Sequence, residues 1–428
     1  MVLRIASLLL LTACSQSLFA NGGDKDGGTG GEMAVANMCT APCVGDAAGD
    51  FDGTPGGANG RWRYLEDRKN RTWTPMALEA ASGTMIGTVE TANFVGKCKA
   101  GSTEHACSAL PGALLVGASG AANEPAIELK APMNQVVQIS LKVAVPPGAG
   151  DHTVRLYRNS REDVLFTGMA LAANMLETTI TIDALANDRI LMSLSAAAAV
   201  QNVGVQMFVS GTAATFPANC QLALSFSAAM GMGVDNLCGG DFTYANWETS
   251  MMETPTLTAG PFPEQGMAAD IMVDRYYKGT NLALRNEDTT LQFWVRHDVF
   301  VPLYDAWVFS DLDLNNKGGI GVVIFDNNGP KMEVTTCTGA GNPLTFAGDI
   351  MPYPADNAWH FVRVVHKGGL VNVCFDGEKK FSFAAPAGSL ASQYRPHMGR
   401  NVVWTPSFAK TDAAMDDIRI FTGALPCE

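Results

Sequence analysis

Apolar and polar residues alternate along much of the chain, and this alternation predicts a β-rich protein. In the run from Val136 to Val145, every second residue from Val137 onward is apolar. A period of two places such residues on one face of a half-buried strand. Similar runs recur between turn signals, and we predict strands at Ala126–Ala131, Val136–Val145, His152–Arg158, Thr178–Ile182, Arg189–Ser195 and Val203–Ser210. About seven short strands with this spacing are typical of a β-sandwich.

The clearest pattern is the segment WHFVRVVHKGGLVNVCFDGEKKFSF, which runs from Trp359 to Phe383. Val371, Val373 and Phe375 share one face of its middle strand because side chains alternate between the two faces. The glycines of KGG and DG permit the positive φ angles that tight hairpin turns require. The segment is therefore predicted to be a three-stranded antiparallel meander.

Further strand-like runs surround this meander, at Cys220–Ser227, Thr289–Asp298, Trp307–Asp313, Gly319–Asn328, Lys331–Cys337 and Met415–Leu425. Their order resembles the laminin-G-like, concanavalin-A-like jelly roll. The segments that carry the resemblance are Phe293-Trp294, Gly319–Phe325, Trp359–Val365, Val371–Gly377, Gly399-Arg400 and Asp416–Leu425. The resemblance implies a jelly-roll sandwich over residues 216–428, in a superfamily that includes glycoside hydrolases and lyases.

The first half of the chain has a looser resemblance. Gly150–Asn159 and Ile182–Leu194 resemble two strands of the galactose-binding-like sandwiches that serve as carbohydrate-binding modules. The predicted fold class is therefore all-β, with two β-sandwich domains in tandem. They cover residues 60–215 and 216–428, and the second is a concanavalin-A-like jelly roll.

The N-terminus is predicted to be a signal peptide over residues 1–20. Its apolar run, Ile5–Leu11, is too short to span a bilayer. Leu11–Cys14 resembles a bacterial lipobox, which implies lipid attachment at Cys14 and, with Ser15 following, an outer-membrane location. The alternative is an ordinary secretory signal that is cleaved after Ala20. Both interpretations predict an exported protein, either lipid-anchored or secreted.

Composition changes sharply after this segment. Residues 21–59 are rich in Gly, Ala and Asp and are predicted to form a flexible tether, because they offer little apolar surface to bury. The whole chain has a formal net charge of −13 and a low charged fraction of 17%. An acidic surface repels phosphate backbones, so nucleic acid is not an expected partner.

The ten cysteines are consistent with export. Short spacing predicts the loop-closing pairs Cys39–Cys43 and Cys98–Cys107. The jelly-roll resemblance implies that the first and last strands are antiparallel neighbours. Setting Phe226 opposite Ile420 would then bring Cys220 beside Cys427, with Cys337–Cys374 as a second bridge and Cys238 as the odd thiol. The competing assignment pairs Cys238 with Cys427.

No motif for catalysis is found, and the protein is predicted not to be an enzyme. The chain lacks the E-x-D-x-x-E spacing of retaining glucanases, and its nearest pair, Glu248 and Glu253, would point to opposite faces of a strand. His297, His360 and His366 each occur singly in predicted strands. HExxH, GxSxG and Walker motifs are also missing from the sequence.

Two sets of residues could still bind ligands. Asp311, Asp313 and Asn315 offer oxygen atoms at alternate positions and would suit a Ca²⁺ ion, although the EF-hand spacing fails and a polar turn is the favoured interpretation. Seven tryptophans could stack on sugar rings: Trp62, Trp73, Trp247, Trp294, Trp307, Trp359 and Trp404. Trp294, Trp307 and Trp359 are assigned to the core, and Trp404 is the better candidate for exposure.

The predicted function is non-catalytic binding at the cell surface, with a glycan as the leading ligand. A structural or adhesive protein that recognises another protein is the first alternative. A glycan-active hydrolase or lyase without a recognisable motif is the second. The glycan assignment comes from the resemblance, since no constellation of residues in the sequence specifies a ligand.

Overall fold

The computed structural model describes residues 43–51, 62–69, 71–99, 101–120, 123–196, 201–224, 226, 233–239, 241–246, 251–262, 267–271, 275–280, 288–297, 305–312, 318–326, 328–337, 346–385, 396–399 and 412–427. Within these ranges the first half contains β1 Cys43–Asp46, β2 Trp62–Asp67, β3 Trp73–Pro75, β4 Ala77–Glu79, β5 Thr84–Ile86, β6 Phe94–Lys97, α1 His105–Ala109, β7 Leu114–Ala118, β8 Glu124–Lys130, β9 Gln135–Ala144, β10 His152–Arg158, β11 Val164–Ala170, β12 Met175–Ala184, β13 Arg189–Ala196 and β14 Gln201–Gly211.

The second half contains β15 Cys220–Leu224, β16 Gly233–Asp235, β17 Asp241–Asn246, β18 Thr256–Ala259, β19 Met267–Ile271, β20 Arg275–Lys278, β21 Thr289–His297, β22 Asp305–Ser310, β23 Ile320–Asp326, β24 Pro330–Cys337, β25 Phe346–Pro352, β26 His360–Lys367, β27 Leu370–Phe375, β28 Glu378–Ala384, β29 His397–Met398 and β30 Ala413–Thr422. The predicted all-β fold class is therefore confirmed.

Two antiparallel sheets form the first sandwich. One has the order β12-β9-β14-β7-β6-β5-β4 with β1 beside β14, and the other has the order β11-β10-β13-β8-β2-β3. The alternation in β9 works as predicted, because Ile139, Leu141 and Val143 are buried in the core between the sheets while Gln138 is exposed. Strands β11 and β12 are consecutive in the chain and form neighbouring edges of the two sheets.

The second sandwich also has two antiparallel sheets. One has the order β18-β19-β30-β21-β26-β27-β28 with β15 beside β30, and the other has the order β16-β17-β20-β29-β22-β23-β24-β25. The predicted meander is confirmed as β26–β28. Its turns have positive φ at Gly368, Gly369, Asp376 and Gly377, as hairpin turns of this length require.

Part of the predicted tether is folded. Strand β1 lies within residues 21–59 and pairs with β14, so that Cys43 is opposite Ser210. Phe51 packs edge-on against Tyr64, with 5.0 Å between ring centroids, and the Trp62 indole N–H donates to Asp50 Oδ2 at 3.0 Å. The tether prediction is therefore wrong for residues 43–51, because this segment adds a strand and apolar side chains to the first sandwich.

The first and last strands of the second sandwich are antiparallel neighbours, as predicted, but in a different register. Leu222 rather than Phe226 lies opposite Ile420, and an irregularity between Cys220 and Leu222 places Cys220 opposite Phe421. The expected Cys220–Cys427 bridge is therefore wrong. A register shift of four residues moves the two sulfur atoms to different places in the sandwich.

Cys220 pairs instead with Cys238, at a Cα–Cα distance of 5.8 Å. The side chain of Asn236 holds the two segments together, since its Oδ1 accepts from the backbone N–H groups of Ala223 at 2.8 Å and Cys238 at 3.1 Å. Cys238 is therefore not the odd thiol. The pairing also excludes the competing Cys238–Cys427 assignment.

Cys427 pairs with Cys374 of β27, at a Cα–Cα distance of 5.6 Å, so the Cys337–Cys374 assignment is also wrong. The Cys98–Cys107 bridge is confirmed. Cys43 is disulfide-bonded, and its predicted partner Cys39 lies outside the described residues.

Non-reducing peptide mapping should recover the pairs Cys98–Cys107, Cys220–Cys238 and Cys374–Cys427. Replacing Cys374 and Cys427 with serine should lower the free energy of unfolding by about 4 kcal/mol, because the bridge spans 53 residues and constrains the unfolded chain accordingly. Chemical denaturation measures this loss. The matched control replaces Cys98 and Cys107 with serine. Their bridge closes a loop of only 9 residues, so its removal should lower the free energy of unfolding by less, about 3 kcal/mol. A recovered Cys220–Cys427 peptide would contradict the register.

Candidate functional site

The two sandwiches meet where loops of the first contact the outer face of one sheet of the second. We call this contact the junction. The loops are the connections β2–β3, β10–β11 and β12–β13, and the sheet contributes outward side chains from β21, β26 and β30. In these strands, side chains such as Val362 and Ile420 point into the core, while their neighbours in sequence point towards the first sandwich.

Asp163, in the β10–β11 region, is the centre of the junction. Its carboxylate accepts from Arg158 Nε at 2.8 Å, from Gln292 Nε2 at 3.0 Å and from the Arg363 guanidinium. Arg363 also donates to the carbonyl oxygen of Val164 at 3.0 Å. Burial alone would raise the pKa of Asp163, but the adjacent Arg158 and Arg363 lower it below its ordinary value. Asp163 is therefore held as an anion between arginines from both sandwiches.

A second buried ion pair lies beside the first. Arg419 of β30 donates to both carboxylate oxygens of Asp188, at 2.9 and 2.7 Å. The same carboxylate accepts from Asn159 Nδ2 at 3.0 Å. Against the effect of burial, Arg419 lowers the pKa of Asp188 to about 2. This bidentate geometry fixes the orientation of β30 against the β12–β13 loop.

Arg71 forms the third link, at the margin of the junction. It donates through Nε to Glu162 at 2.7 Å, through Nη2 to Asp376 at 2.9 Å and through Nη1 to the carbonyl oxygen of Trp359 at 2.5 Å. Its guanidinium carbon lies 4.7 Å from the ring centroid of Trp294. All three nitrogen donors are therefore engaged, and two of them hold the second sandwich.

A group of aromatic side chains continues from this link along the junction. Phe262, Trp294 and Phe361 are buried, with ring centroids 5.1 Å apart for Phe262–Trp294 and 5.2 Å apart for Trp294–Phe361. Trp73 from the first sandwich and Trp359 from the second are only half-buried and pack against this group. Two tryptophan residues, one from each sandwich, thus lie half-buried at the edge of this aromatic group.

The loop before β26 surrounds Trp359 with polar groups. Asp356 and Asn357 are exposed, and the Arg296 guanidinium lies 5.2 Å from the Trp359 ring centroid. His360 is buried between two carboxylates, with Nδ1 2.7 Å from Asp376 and Nε2 3.0 Å from Asp356. Burial would lower the pKa of His360, but its hydrogen bonds to these carboxylates raise it above 6.5.

We call residues 353–359, with Trp73, Arg71 and Asp376, the Trp359 site. It combines a half-buried tryptophan, a residue whose ring can stack on the C–H face of a sugar, with the exposed side chains of Asp356 and Asn357, which can bind hydroxyl groups. The predicted core position of Trp359 holds only in part, because the residue packs against the buried aromatic group but is itself half-buried. It lies in the loop immediately before β26.

The other predicted site residues are not brought together. Trp62, Trp294 and Trp307 are buried, while Trp247 and Trp404 lie outside the described residues. Asp311 is buried and its Oδ1 accepts from the Ile320 N–H at 2.7 Å. Asp313 and Asn315 lie outside the described residues, and no cluster of three acidic, His or Cys side chains suited to a metal occurs within the part of the chain that is described.

The acidic and histidine residues that were considered for catalysis do not form a catalytic group among the described residues. Glu253 pairs with Arg275 at 2.5 Å, and Glu248 lies outside the described residues. His297 and His366 are buried at the ends of β21 and β26. Cys14 precedes the described residues, so lipid attachment stays a prediction. No helix among the described residues has the length and apolar character needed to cross a bilayer.

Sequence analysis missed Arg71 and Asp356. A signal for Arg71 exists, since it lies in a polar turn two residues before Trp73. Nothing in the sequence, however, connects that turn with a loop almost three hundred residues later. Only the folded junction shows that the two segments form one site.

Comparisons with known proteins agree with the fold. Residues 273–428 match the family model of the concanavalin A-like lectin/glucanases superfamily, of the laminin G type. These residues therefore form a concanavalin A-like domain. The search of curated proteins gave no match.

Several solved structures resemble the chain. Domain 4 of an extracellular arabinanase from Geobacillus stearothermophilus, solved with arabinotriose, is 16% identical with a TM-score of 0.35, over 49% of this chain and 96% of that one. The binding domain of botulinum neurotoxin serotype C1 is 12% identical with a TM-score of 0.35, over 49% of each chain. The serotype D binding domain gives the same values. The chain thus spans about half the length of the neurotoxin structures it matches.

Replacing Asp163 with Asn should lower the free energy of unfolding by about 3–5 kcal/mol, because two buried arginines would lose their anion. Chemical denaturation gives the loss. As a matched control, Glu177→Gln removes the exposed pair in which Glu177 Oε1 lies 2.7 Å from Lys142 Nζ, and should cost at most about 1 kcal/mol. Equal losses in the two variants would show that the junction is not the stabilising contact.

The stability contributed by His360 should depend on pH. Because its pKa is raised from 6.5 in the folded protein, protonation stabilises the fold below about pH 6.5, and this contribution is lost as pH rises through the folded-state pKa. The difference in unfolding free energy between wild type and His360→Gln should therefore be larger at pH 5.5 than at pH 8.5. The control His105→Gln, on the exposed side of α1, should track the wild type at both values. A difference that is the same at both pH values would contradict the two-carboxylate environment.

Proposed function

We propose that this protein, which carries a concanavalin A-like domain in its C-terminal part, is an exported surface protein that binds glycan without catalysis. The single observation that carries the proposal is the Trp359 site. A half-buried indole ring beside exposed polar side chains is the arrangement that a neutral sugar requires, since sugars present apolar C–H faces and polar rims.

The family match supports the ligand class. The superfamily is named for lectins and glucanases, two classes of protein that bind glycans. Glycans are therefore the first ligands to test. Export is supported by the three disulfides within the described residues, because such bonds are typical of extracellular proteins. The signal sequence and the lipobox at Cys14 extend the proposal to an anchored protein at a bacterial cell surface.

The charges around the site support binding rather than hydrolysis. Glu162 and Asp376 both accept hydrogen bonds from Arg71, so both carboxylates are engaged by a partner within the protein. His360 is held by Asp356 and Asp376 on both ring nitrogens, which leaves it poorly placed to take a proton from a substrate.

A glycan array tests the proposal. The wild-type chain should bind a defined set of neutral oligosaccharides, and Trp359→Ala should weaken that binding about tenfold or more, because stacking and apolar burial on an indole are lost. Asp356→Asn should weaken binding to the same glycans without changing the set. Reducing ends released from bound polysaccharides should not exceed the level without protein.

Phe208→Ala is the matched control. Phe208 is a half-buried aromatic residue on β14 that does not belong to the core and is not among the residues of the Trp359 site. This variant should bind as the wild type does. Loss of binding in Phe208→Ala but not in Trp359→Ala would place the site on the open sheet of the first sandwich. An array with no positive spot would refute glycan binding.

A further inference from the structure

The turn between β11 and β12 forms an apolar end of the first sandwich. Strand β11 leads away from the junction loop at residues 159–163, and β12 returns to the junction loop at residues 185–188. The turn therefore lies at the opposite end of these strands. Three large apolar side chains are exposed there: Met169 at 58%, Leu171 at 46% and Met175 at 45%. We call these residues and the turn they flank the apolar tip.

Charge is almost excluded from the tip. No residue from 164 to 176 is charged, and none from 143 to 150, in the adjoining β9–β10 loop, is charged. The two loops are joined by backbone hydrogen bonds, from Val145 N–H to the carbonyl of Asn174 at 3.1 Å and from Ala173 N–H to that of Pro146 at 3.4 Å. In a chain with a net charge of −13, this combination is unusual for a solvated loop.

Apart from Asp151, charged side chains begin behind the tip. Glu177 and Lys142 form an exposed ion pair, with 2.7 Å between Oε1 and Nζ, two positions after Met175 on β12. On the other sheet, the charged residue Arg155 of β10 lies opposite Thr167, two positions before Met169 on β11. The tip is therefore an apolar cap bounded by charged side chains, and Asp151 is the one charged group between them in the described loops.

Three backbone N–H groups of the turn already have hydrogen-bond acceptors. The N–H groups of Ala172, Ala173 and Asn174 donate to Asp151 Oδ1 at 3.4 Å, to the carbonyl of Pro146 at 3.4 Å and to the carbonyl of Leu171 at 3.1 Å. An unsatisfied amide is costly in a medium that cannot form hydrogen bonds. The tip can therefore leave water with little loss of hydrogen bonding at these three positions.

We propose that the apolar tip inserts into the interfacial region of an electrically neutral lipid bilayer. Three partly exposed side chains are too few to supply the ~800 Å² per partner that a stable protein interface buries. Transfer of such side chains into lipid is favourable in proportion to the apolar area removed from water. Because the chain is strongly acidic, anionic lipid repels it, so the contact is with neutral lipid. This contact is additional to any lipid anchor at Cys14.

A tryptophan at the tip tests insertion directly. Leu171→Trp is mixed with vesicles of phosphatidylcholine, with and without bromine on the acyl chains. Its emission should shift to shorter wavelength and be quenched by the brominated lipid, relative to the parent chain. The control Met133→Trp replaces another exposed residue, at 57%, in the β8–β9 loop at the junction end, and should show neither change. Equal quenching of the two variants, or quenching of neither, would overturn the proposal.

Partitioning of the full chain onto the same vesicles gives a second measurement. Met169→Ser/Leu171→Ser/Met175→Ser should partition about tenfold less than the parent, because three partly exposed apolar side chains are lost. Leu78→Ser/Val89→Ser/Met133→Ser removes three exposed apolar side chains elsewhere and should partition as the parent does. The N-terminal segment is identical in all variants, so any difference in partitioning between them comes from the substituted side chains.

Two further experiments distinguish neutral lipid from anionic lipid and from a second copy of the chain. Adding phosphatidylglycerol to the vesicles should weaken partitioning, and stronger partitioning would overturn the assignment to neutral lipid. Light scattering after size exclusion should give the same mass for the parent and the tip variant. A parent dimer that becomes a monomer in the tip variant would show that the tip joins two copies of the chain, and would refute lipid insertion. Neither result depends on glycan binding.

Discussion

The architecture depends on the buried charge of Asp163. Its carboxylate is shared by Arg158 from its own sandwich and Arg363 from the other, and Arg419 pairs beside it with Asp188. Buried charges lose their hydration, so the pairs tolerate only a narrow geometry in which every partner is present. Asp416, adjacent on β30, does not add a further charge at neutral pH, because burial and the nearby Asp417 raise its pKa to about 8. The network therefore fixes how the sandwiches dock, and apolar packing alone would leave that orientation less specific.

The same strands build the core and the junction. On β30, Ile418 and Ile420 face the core, while Arg419 donates to Asp188 and Phe421 lies 4.8 Å from the Arg158 guanidinium. Asp417 adopts a positive φ of 48°, and the pairing of β30 with β21 is irregular there. This distortion turns Arg419 towards the first sandwich. A segment that resembles a family signature at the sequence level thus serves here as the docking surface for a second domain.

Local sequence patterns predicted most strands because alternation and turn glycines act over a few residues. The hairpins at Gly369 and Gly377 were predicted for that reason, whereas the pairing of β15 with β30 was implied by the jelly-roll resemblance. The register of that pair was missed because a shift of four residues keeps the same side chains on the same face, so alternation does not distinguish the two registers. Strand β1 was missed because it is short and its composition resembles a linker. The Trp359 site could not be predicted, since Arg71 and Asp376 are brought together only by the docked sandwiches.

The Trp359 site therefore belongs to the pair of sandwiches and not to the concanavalin A-like domain alone. Without the first sandwich, Trp359 would lose the hydrogen bond from Arg71 to its carbonyl oxygen, and Asp376 would lose its cation. Trp294, Phe361 and the two buried arginines of the sheet would then face water, which costs both apolar burial and paired charge. Any ligand that binds more tightly to the ordered Trp359 loop must also favour the docked state, by linkage. Docking of the sandwiches and the affinity of any such ligand would thus be coupled through Arg71, at the margin of the junction.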